Sequence, residues 1–325
     1  MQSFWDKLPK PFFALAPMAD VTDPAYRSLI AELSKGKEKS VPFVTWTEFV
    51  SADGLYHTRE KKGMPDAENP LVRDLQYTEA ERPIVAQFFS GKPEMMEYAA
   101  GLALARGFDG VDINMGCPDK SIEKQGAGAA HMKDPERAKE VIRAAVRGTK
   151  GKIPVSVKTR IGYNRIAYQD WLPHLLSEDI ALLTIHLRTR KEMSKVAAHW
   201  ELAGEIAAFC REINPKVRIA GNGDVPDVAT GERLANEHGL DGVMLGRAIF
   251  GNPWLFSGNE EASPDERLVA LKELAERFHT LTPAKHHAIL KKHVKAFVSG
   301  YDGAAELRAK LMETNSLQEL RDVLS

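Results

Sequence analysis

Cys117 is the side chain of this sequence best suited to proton chemistry. It lies in the turn Gly116–Pro118, directly after the apolar run Gly110–Asn114, and the flanking glycine and proline should hold its sulfur at the mouth of the fold. Because the ordinary pKa of a thiol lies above neutrality, such a group stays mostly protonated and suits a general acid better than a nucleophile. Cys210 lies in an apolar helical segment, and we expect it to be a buried small hydrophobe.

Lys158 ends the otherwise apolar run Val155–Lys158. A cation in that place suits a flavin, whose anionic reduced ring it would stabilise near the N1–C2=O edge. Two other roles stay open for this lysine: the Schiff base of an aldolase, or a structural lysine whose ammonium group reaches solvent at the rim.

Two glycine-rich segments, Gly221–Asp224 and Gly246-Arg247, have the composition of a phosphate site. Glycine lets backbone N–H groups approach a ligand closely, and Arg247 would balance its charge. The loops after the seventh and eighth strands of a TIM barrel commonly bind phosphate, although glycines that only make tight turns are the alternative. The sequence contains neither G-x-G-x-x-G nor G-x-x-x-x-G-K-[ST], so it supports neither a Rossmann fold nor a P-loop.

Eight apolar runs alternate with amphipathic segments between about residues 12 and 250. Near-continuous apolar runs are typical of strands buried on both faces, and we predict strands at Phe12–Ala16, Phe43–Thr47, Ile84–Phe89, Gly110–Asn114, Val155–Lys158, Leu182–His186, Val217–Gly221 and Gly242–Leu245. We predict helices at Pro24–Leu33, Glu94–Ala105, Pro135–Arg147, Ala167–Ser177, Trp200–Arg211 and Val228–His238. This order predicts a TIM (β/α)8 barrel, in which the polar residues at the carboxyl ends of the strands, Glu48 and Gln87 among them, converge on one site.

Two segments depart from this repeat. The stretch between Thr47 and Ile84 is long, polar and rich in Gly and Pro, so we predict a functional loop, with a floppy insertion as the alternative. After Pro253 the strand signal ends, and we predict a small all-helical domain with helices at Leu268–Phe278, Ala288–Phe297, Ala304–Leu311 and Leu317–Leu324. The predicted domains are a catalytic barrel, residues 1–255, and a helical domain, residues 260–325.

Composition excludes several classes of protein. With 44 Lys and Arg against 45 Asp and Glu, the net charge of −1 excludes binding to polyanions by bulk charge but allows a local basic patch. Two cysteines cannot build a disulfide framework, a zinc ribbon or an Fe–S cluster, and they indicate a reducing compartment. The start of the chain lacks the features of a signal peptide, and its apolar runs are too short to span a membrane. We expect a cytoplasmic protein with no metal centre.

Taken in order, the motifs resemble those of the tRNA-dihydrouridine synthases, a family of FMN-dependent reductases. The resemblance covers nearly the whole chain and is most specific in the turn Asn114–Pro118. The segments that carry it are Ala16-Pro17-Met18, Thr22-Asp23, Thr47–Leu55, Gln87, Asp112–Pro118, Lys158–Gly162, His186–Arg190, Asn222–Asp224 and Gly246-Arg247. The sequence looks closest to the bacterial branch, in which a helical domain follows the barrel directly.

The resemblance implies a role for each matching residue. Ala16, Pro17, Met18 and Gln87 would contact the isoalloxazine, Lys158 and His186 would lie along its edge, and the phosphate end would be held by Asn222, Gly223, Asp224, Gly246 and Arg247. The uracil would be oriented by Asn114, Arg160, His186 and Arg188. Cys117 would donate a proton to C5 as a hydride passes from N5 of reduced FMN to C6, and NADPH or NADH would reduce the flavin again.

Elementary chemistry agrees with these roles. Reduction of a C5=C6 bond conjugated to a carbonyl needs a hydride at C6 and an acid at C5. A uridine in folded RNA must be extruded to reach the barrel. Between Arg277 and Lys310 the sequence has seven Lys and Arg against two acids, so we expect the helical domain to bind tRNA, with an ordinary solvated helix face as the alternative. A monomer fits an enzyme whose partner is a large RNA.

Other functions remain open on the sequence alone. A flavin barrel could reduce a small molecule, such as a free pyrimidine or an enone, and a barrel without catalytic activity could bind RNA. A phosphate-binding aldolase with Lys158 as its Schiff-base residue is a further alternative. The chain also departs from the family pattern at Leu187, at His131 and in the segment Ser194–Trp200, which lacks a usual glycine, and we expect these departures to bear on substrate choice.

Overall fold

Eight parallel strands form a closed barrel in the computed structural model, which describes residues 3–258 and 262–325. Each strand pairs with the next one in the sequence, and the eighth closes the barrel on the first. The strands are β1 (Phe12–Leu15), β2 (Phe43–Ser51), β3 (Ile84–Phe89), β4 (Gly110–Asn114), β5 (Val155–Arg160), β6 (Leu182–His186), β7 (Arg218–Asn222) and β8 (Gly242–Leu245). The predicted TIM (β/α)8 barrel is confirmed, with all eight strands close to their predicted positions.

Helices alternate with these strands. They are α1 (Pro24–Ser34), α2 (Ala52–Tyr56), α3 (Pro70–Arg73), α4 (Pro93–Ala105), α5 (Lys120–Glu123), α6 (Pro135–Thr149), α7 (Tyr168–Leu176), α8 (Ala203–Ile213) and α9 (Val228–Glu237). Asp23, Asp134 and Asp227 cap α1, α6 and α9 with side-chain oxygens that accept backbone N–H groups of the first turn. The six predicted barrel helices are all present, and α8 begins after its predicted start because Trp200–Leu202 forms a separate 3-10 turn.

The segment between β2 and β3 contains two short α-helices, so the expectation of an irregular loop is wrong, while its functional role stays a prediction. β2 continues to Ser51, and α2 and α3 follow. Ser51 and Asn69 cap these helices, each accepting a backbone N–H with its side-chain oxygen. Pro70, which suggested a loop, occupies the first turn of α3, where a missing N–H leaves no hydrogen bond unmade.

Aromatic side chains fill the amino-terminal end of the barrel. Trp5 precedes β1 and packs against Phe12 and Trp46, with ring centroids 5.2 and 6.0 Å away. All three rings are almost completely buried. Among the described residues, hydrocarbon therefore closes this end of the barrel, which leaves the carboxyl ends of the strands for a ligand.

Four helices follow β8 in the described part of the chain, which confirms the predicted helical segment. They are α10 (Pro264–Thr280), α11 (Lys291–Phe297), α12 (Ala304–Glu313) and α13 (Leu317–Val323). Helix α10 begins before its predicted start because Ser263 and Glu266 form a capping box. The division into domains at residues 1–255 and 260–325 stays a prediction, and residues 1–2 and 259–261 lie outside the described ranges. Within those ranges, no helix is both long enough and apolar enough to cross a membrane.

Lys285 joins this helical segment to the barrel. Its Nζ lies 2.7 Å from Glu48 Oε2, 3.5 Å from Asp74 Oδ1 and 3.7 Å from Asp23 Oδ2, and we call these four residues the seam. Although burial opposes it, the three carboxylates raise the pKa of Lys285. The expectation that Lys285 belongs to an exposed basic face is therefore wrong: its side chain is buried among acids of the barrel.

Candidate active site

A cavity of about 290 Å³ opens at the carboxyl ends of the strands. It is lined by fourteen of the residues predicted to form the site, namely Ala16, Pro17, Met18, Asn114, Cys117, Lys158, Arg160, His186, Arg188, Asn222, Gly223, Asp224, Gly246 and Arg247. The barrel topology explains this convergence, since parallel strands present all their carboxyl ends at one rim.

Gln87 and Glu48 are strand-end residues that do not line the cavity. Gln87 is fully buried one layer below the rim, because β3 continues for two more residues. The pairing of β2 with β3 shifts in register between Trp46 and Phe49, and Glu48, within the shift, reaches the seam while Phe49 lies on the cavity wall. The prediction that the polar strand ends converge on one site is therefore wrong for Glu48. Contact of Gln87 with a ligand stays a prediction.

Sequence reasoning missed four lining residues, Phe49, Ser194, Val225 and Met244. Phe49, Val225 and Met244 are apolar and carry no chemical signal of their own. Ser194 reaches the cavity because Arg160 holds the loop after β6, donating to the carbonyls of Thr189 at 3.1 Å and Met193 at 2.9 Å. Contacts of this kind, between residues distant in sequence, fix the position of the loop.

The cavity wall carries more positive than negative charge. Its cations are Lys158, Arg160, Arg188 and Arg247, and Asp224 is the one carboxylate that the described lining residues supply. Arg188 and Arg247 donate to opposite oxygens of Asp224. Lys158 donates to Asn222 Oδ1 at 3.1 Å and has no carboxylate partner among the described residues. The excess of positive charge suits an anionic ligand. No metal-holding group of three or more His, Cys, Asp or Glu side chains occurs in the described ranges.

Burial acts on the protonation of these groups. Burial, together with the neighbouring Arg160, lowers the pKa of Lys158 to about 8. Burial also lowers the pKa of Arg160 to about 10. The pKa of His186 falls well below its usual range because of burial and the surrounding cations, so its imidazole is neutral at pH 7. Cations held away from water in this way favour binding of an anion that restores their lost solvation.

Cys117 lies in a tightly held turn at the cavity wall. Its backbone N–H donates to Asn114 Oδ1 at 2.9 Å, and its carbonyl accepts the N–H of Ala129 at 2.9 Å. Gly128 has a φ of +59°, and a Cβ there would lie 2.7 Å from the Cys117 carbonyl oxygen, so only glycine fits. Burial raises the pKa of the Cys117 thiol, which keeps its proton on the sulfur at neutral pH.

The fold requires glycine at position 223 but not at position 246. Gly223 has a φ of +132°, and a Cβ there would lie 2.7 Å from the Cβ of Ala198, so the fold itself demands glycine. A Cβ at Gly246 would make only ordinary contacts, with Ala16 and Met18 at 3.6 Å. The protein's own packing tolerates a side chain at Gly246, and the bare backbone there leaves room in the cavity for a ligand.

Two of the three departures from the family pattern lie away from the cavity. Leu187 is buried in the hydrophobic core, and its N–H donates to the Asn222 carbonyl at 3.0 Å. His131 is buried beneath Ser90, whose carbonyl lies 3.1 Å from its Nε2, and burial lowers its pKa to about 4. Of the departures, the segment containing Ser194 is the one that reaches the cavity.

Comparison with known proteins points to one family. A family model described as dihydrouridine synthase matches residues 14–325. A protein of Staphylococcus epidermidis named "Probable tRNA-dihydrouridine synthase" is 42% identical over 329 residues, covering 99% of this chain and 95% of that protein. "Probable tRNA-dihydrouridine synthase 2" of Bacillus subtilis is 40% identical over 328 residues, covering 99% and 96%. The structure of histamine dehydrogenase from Rhizobium sp. 4-9 shares the barrel fold, with a TM-score of 0.52 and 11% identity, and the match spans 96% of this chain but 61% of that one.

Proposed function

The chain belongs to the dihydrouridine synthase family, and from this premise we propose that it reduces the C5=C6 bond of specific uridines in tRNA to give 5,6-dihydrouridine. It would act as an FMN-dependent oxidoreductase that consumes NADPH or NADH. The observation that carries the proposal is that one cavity is lined both by a protonated thiol, Cys117, and by a buried ammonium group, Lys158, that lacks a carboxylate partner among the described residues.

The cavity suits FMN in charge and in space. Arg247 and the bare backbone of Gly246 are matched to a phosphate, and Lys158 to a ring that becomes anionic on reduction. The residues proposed to hold FMN are Ala16, Pro17, Met18, Gln87, Lys158, His186, Asn222, Gly223, Asp224, Gly246 and Arg247. When bound, reduced FMN supplies the hydride that adds to C6 of the uracil.

Cys117 delivers the proton that completes the reduction at C5 of the uracil. Burial favours the neutral thiol, and the hydrogen bond of Asn114 to its backbone fixes the turn from which it acts. Asn114, Arg160, His186 and Arg188 orient the uracil in this proposal. The neutral imidazole of His186 has one donor and one acceptor nitrogen, which suits the alternating N–H and C=O groups of a uracil edge.

The substrate uridine must leave its stack in the RNA to enter this cavity. We propose that the helical segment after β8 contacts the tRNA backbone through three exposed lysines of the stretch from Arg277 to Lys310, namely Lys292, Lys295 and Lys310. Lys285 is not among them because it lies in the seam, and Arg277 pairs with Glu32 of α1. An enzyme that binds one large RNA in this way would act as a monomer in the cytoplasm.

Substitution of the thiol tests the function directly. We expect Cys117→Ala to keep the flavin absorbance of the purified protein and to lose about 100- to 10,000-fold in dihydrouridine formation on unmodified tRNA, because the proton donor is gone. Cys210→Ala is the matched control: Cys210 is a buried thiol of α8, remote from the cavity lining, and its variant should keep both properties. Wild-type turnover in Cys117→Ala would refute the role of the thiol, and colourless wild-type protein would refute the role of flavin.

A further inference from the structure

A chain of buried hydrogen bonds runs from Asp112, in the middle of β4, to the turn that carries Cys117. Gln87 Nε2 donates to Asp112 Oδ2 at 2.6 Å. Asn114 Nδ2 donates to Gln87 Oε1 at 3.1 Å. Asn114 Oδ1 then accepts the backbone N–H groups of Gly116 at 3.2 Å and Cys117 at 2.9 Å. Asp112 and Gln87 are fully buried and do not line the cavity.

The orientation of both amides in this chain is set at its two ends. At the bottom, an ionised Asp112 only accepts hydrogen bonds, so Gln87 must turn its NH₂ toward the carboxylate and its oxygen toward Asn114. At the top, two backbone N–H groups require that Asn114 present its oxygen. The two requirements agree only while Asp112 acts as an acceptor. An amide reversed at either position would set donor against donor in a buried place.

We propose that Asp112 is a positioning residue for the proton donor, holding the Cys117 turn in place through the side-chain amides of Gln87 and Asn114. The inference rests on the proposed role of Cys117 and deepens it. Asp112 does not line the cavity, so it would act on the thiol only through the hydrogen bonds of Gln87 and Asn114. Ser156 Oγ donates to the other carboxylate oxygen, Asp112 Oδ1, at 2.6 Å and fixes the carboxylate plane without entering the chain.

Protonation of Asp112 would break this arrangement. Burial raises the pKa of Asp112 to about 6, against the lowering effects of the groups that face it, Ser156, Gln87, Lys158 and Trp46. Above pH 6 the carboxylate is ionised and accepts from Gln87. Below pH 6 the neutral acid can donate, which favours the reversed Gln87 amide and leaves Asn114 with the wrong group toward Cys117. Turnover should therefore fall as the pH drops through about 6.

Three variants distinguish a positioning role of Asp112 from a general contribution of this residue to the stability of the fold. Asp112→Asn keeps an acceptor for Gln87 at every pH, since Ser156 can accept from the new amide and donate to the Val111 carbonyl at 3.2 Å. Asp112→Ala removes the acceptor. Ser156→Ala is the matched control, because it removes one hydrogen bond of Asp112 at the same depth but leaves the chain to Cys117 intact.

We expect Asp112→Ala to lose about 10- to 100-fold in kcat, with KM for tRNA within about twofold of wild type, since a misplaced donor impairs chemistry and not binding. Asp112→Asn should stay within about threefold of wild-type kcat at pH 8 and lose the decline below pH 6. Ser156→Ala should keep the wild-type kcat at pH 8 and retain the decline, moved to higher pH because Ser156 no longer lowers the pKa of Asp112.

A second measurement needs no flavin and no tRNA. In flavin-free protein carrying Cys210→Ala, Cys117 is the only thiol, and its alkylation by iodoacetamide reports its environment. We expect faster alkylation at pH 8 in Asp112→Ala, where a loosened turn exposes the thiol and lowers its pKa, and unchanged rates in Asp112→Asn. An acid decline retained in Asp112→Asn, or wild-type kcat and alkylation in Asp112→Ala, overturns the inference. Full activity of Cys117→Ala overturns the proposed function instead, so the two failures are distinct.

Discussion

Two clusters of charged side chains have opposite compositions. The wall of the cavity sets four cations, Lys158, Arg160, Arg188 and Arg247, against the single carboxylate of Asp224 among the described lining residues. The seam sets three carboxylates, Asp23, Glu48 and Asp74, against the single ammonium of Lys285. The cavity is open to solvent, whereas the seam is closed by the protein itself. An unbalanced charge that faces an opening indicates a ligand of opposite sign, and one that is enclosed indicates structure.

The two clusters are joined through one loop. Glu48 accepts the backbone N–H of Asp20 as well as the ammonium of Lys285, and Lys292 pairs with the Asp20 carboxylate at 2.9 Å. The loop containing Asp20 begins with Ala16, Pro17 and Met18, which line the cavity. The seam therefore holds one wall of the cavity in place, and the helical segment supports the site without contributing a residue to the lining.

The largest effect should come from opening the seam. We expect Lys285→Met to lower the free energy of unfolding by about 3–5 kcal/mol, because it leaves buried carboxylates without their cation. Urea denaturation measures this change. Lys295→Met is the control: this lysine of α11 is exposed, and its variant should stay within about 0.5 kcal/mol of wild type. Equal stability of the two variants would mean that the seam is not a structural cluster.

Removing a cation of the cavity wall should weaken ligand binding and leave the stability of the protein nearly unchanged. Arg247 is mostly exposed, and Asp224 keeps Arg188 as a partner when Arg247 is removed, so Arg247→Ala should leave the stability of the flavin-free protein nearly unchanged. We expect about 10- to 100-fold weaker binding of FMN, from the loss of a charge-assisted hydrogen bond to its phosphate. Fluorescence titration measures the Kd. Arg233→Ala, an exposed arginine of α9 paired with Glu237, is the matched control, and similar affinities in both variants would contradict the phosphate role of Arg247.

The sequence predicts the cavity far better than the seam, for a physical reason. Asn114, Cys117 and Lys158 each lie at the end of an apolar run, a local pattern, and the barrel topology then brings those ends together. Lys285 meets Glu48 across 237 residues of sequence, and nothing near Lys285 marks it as buried. Gln87 lies inside β3 and not at its end, as the predicted bounds of that strand already imply, and its contact with a ligand stays a prediction.

Substitution of Lys158 should have the smallest effect on the free energy of unfolding. It also distinguishes the cavity from the seam most clearly, because the sign of its effect is opposite to that of Lys285→Met. Burial lowers its pKa to about 8 in the folded protein, below the value of an exposed lysine, so folding costs free energy while this group is charged. In flavin-free protein we expect Lys158→Met to raise the free energy of unfolding by about 1 kcal/mol at pH 7, since a methionine of similar length carries no charge to bury. The same variant should bind FMN more weakly, because it lacks the cation proposed to face the flavin ring.

The difference in unfolding free energy between the wild type and Lys158→Met should depend on pH in a definite direction. Between pH 8 and the pKa of an exposed lysine, the unfolded chain binds a proton at residue 158 that the folded protein has released, so this group makes the wild type more stable as the pH rises through that window. Lys158→Met removes this contribution, and the stabilities of the two proteins should converge as the pH approaches 10. Urea denaturation of flavin-free protein at pH 7, 8.5 and 10 measures the convergence. A constant difference in unfolding free energy across that range would show that Lys158 is solvated like a surface lysine. The contrast between the cations of the cavity and the seam would then depend on the arginines alone.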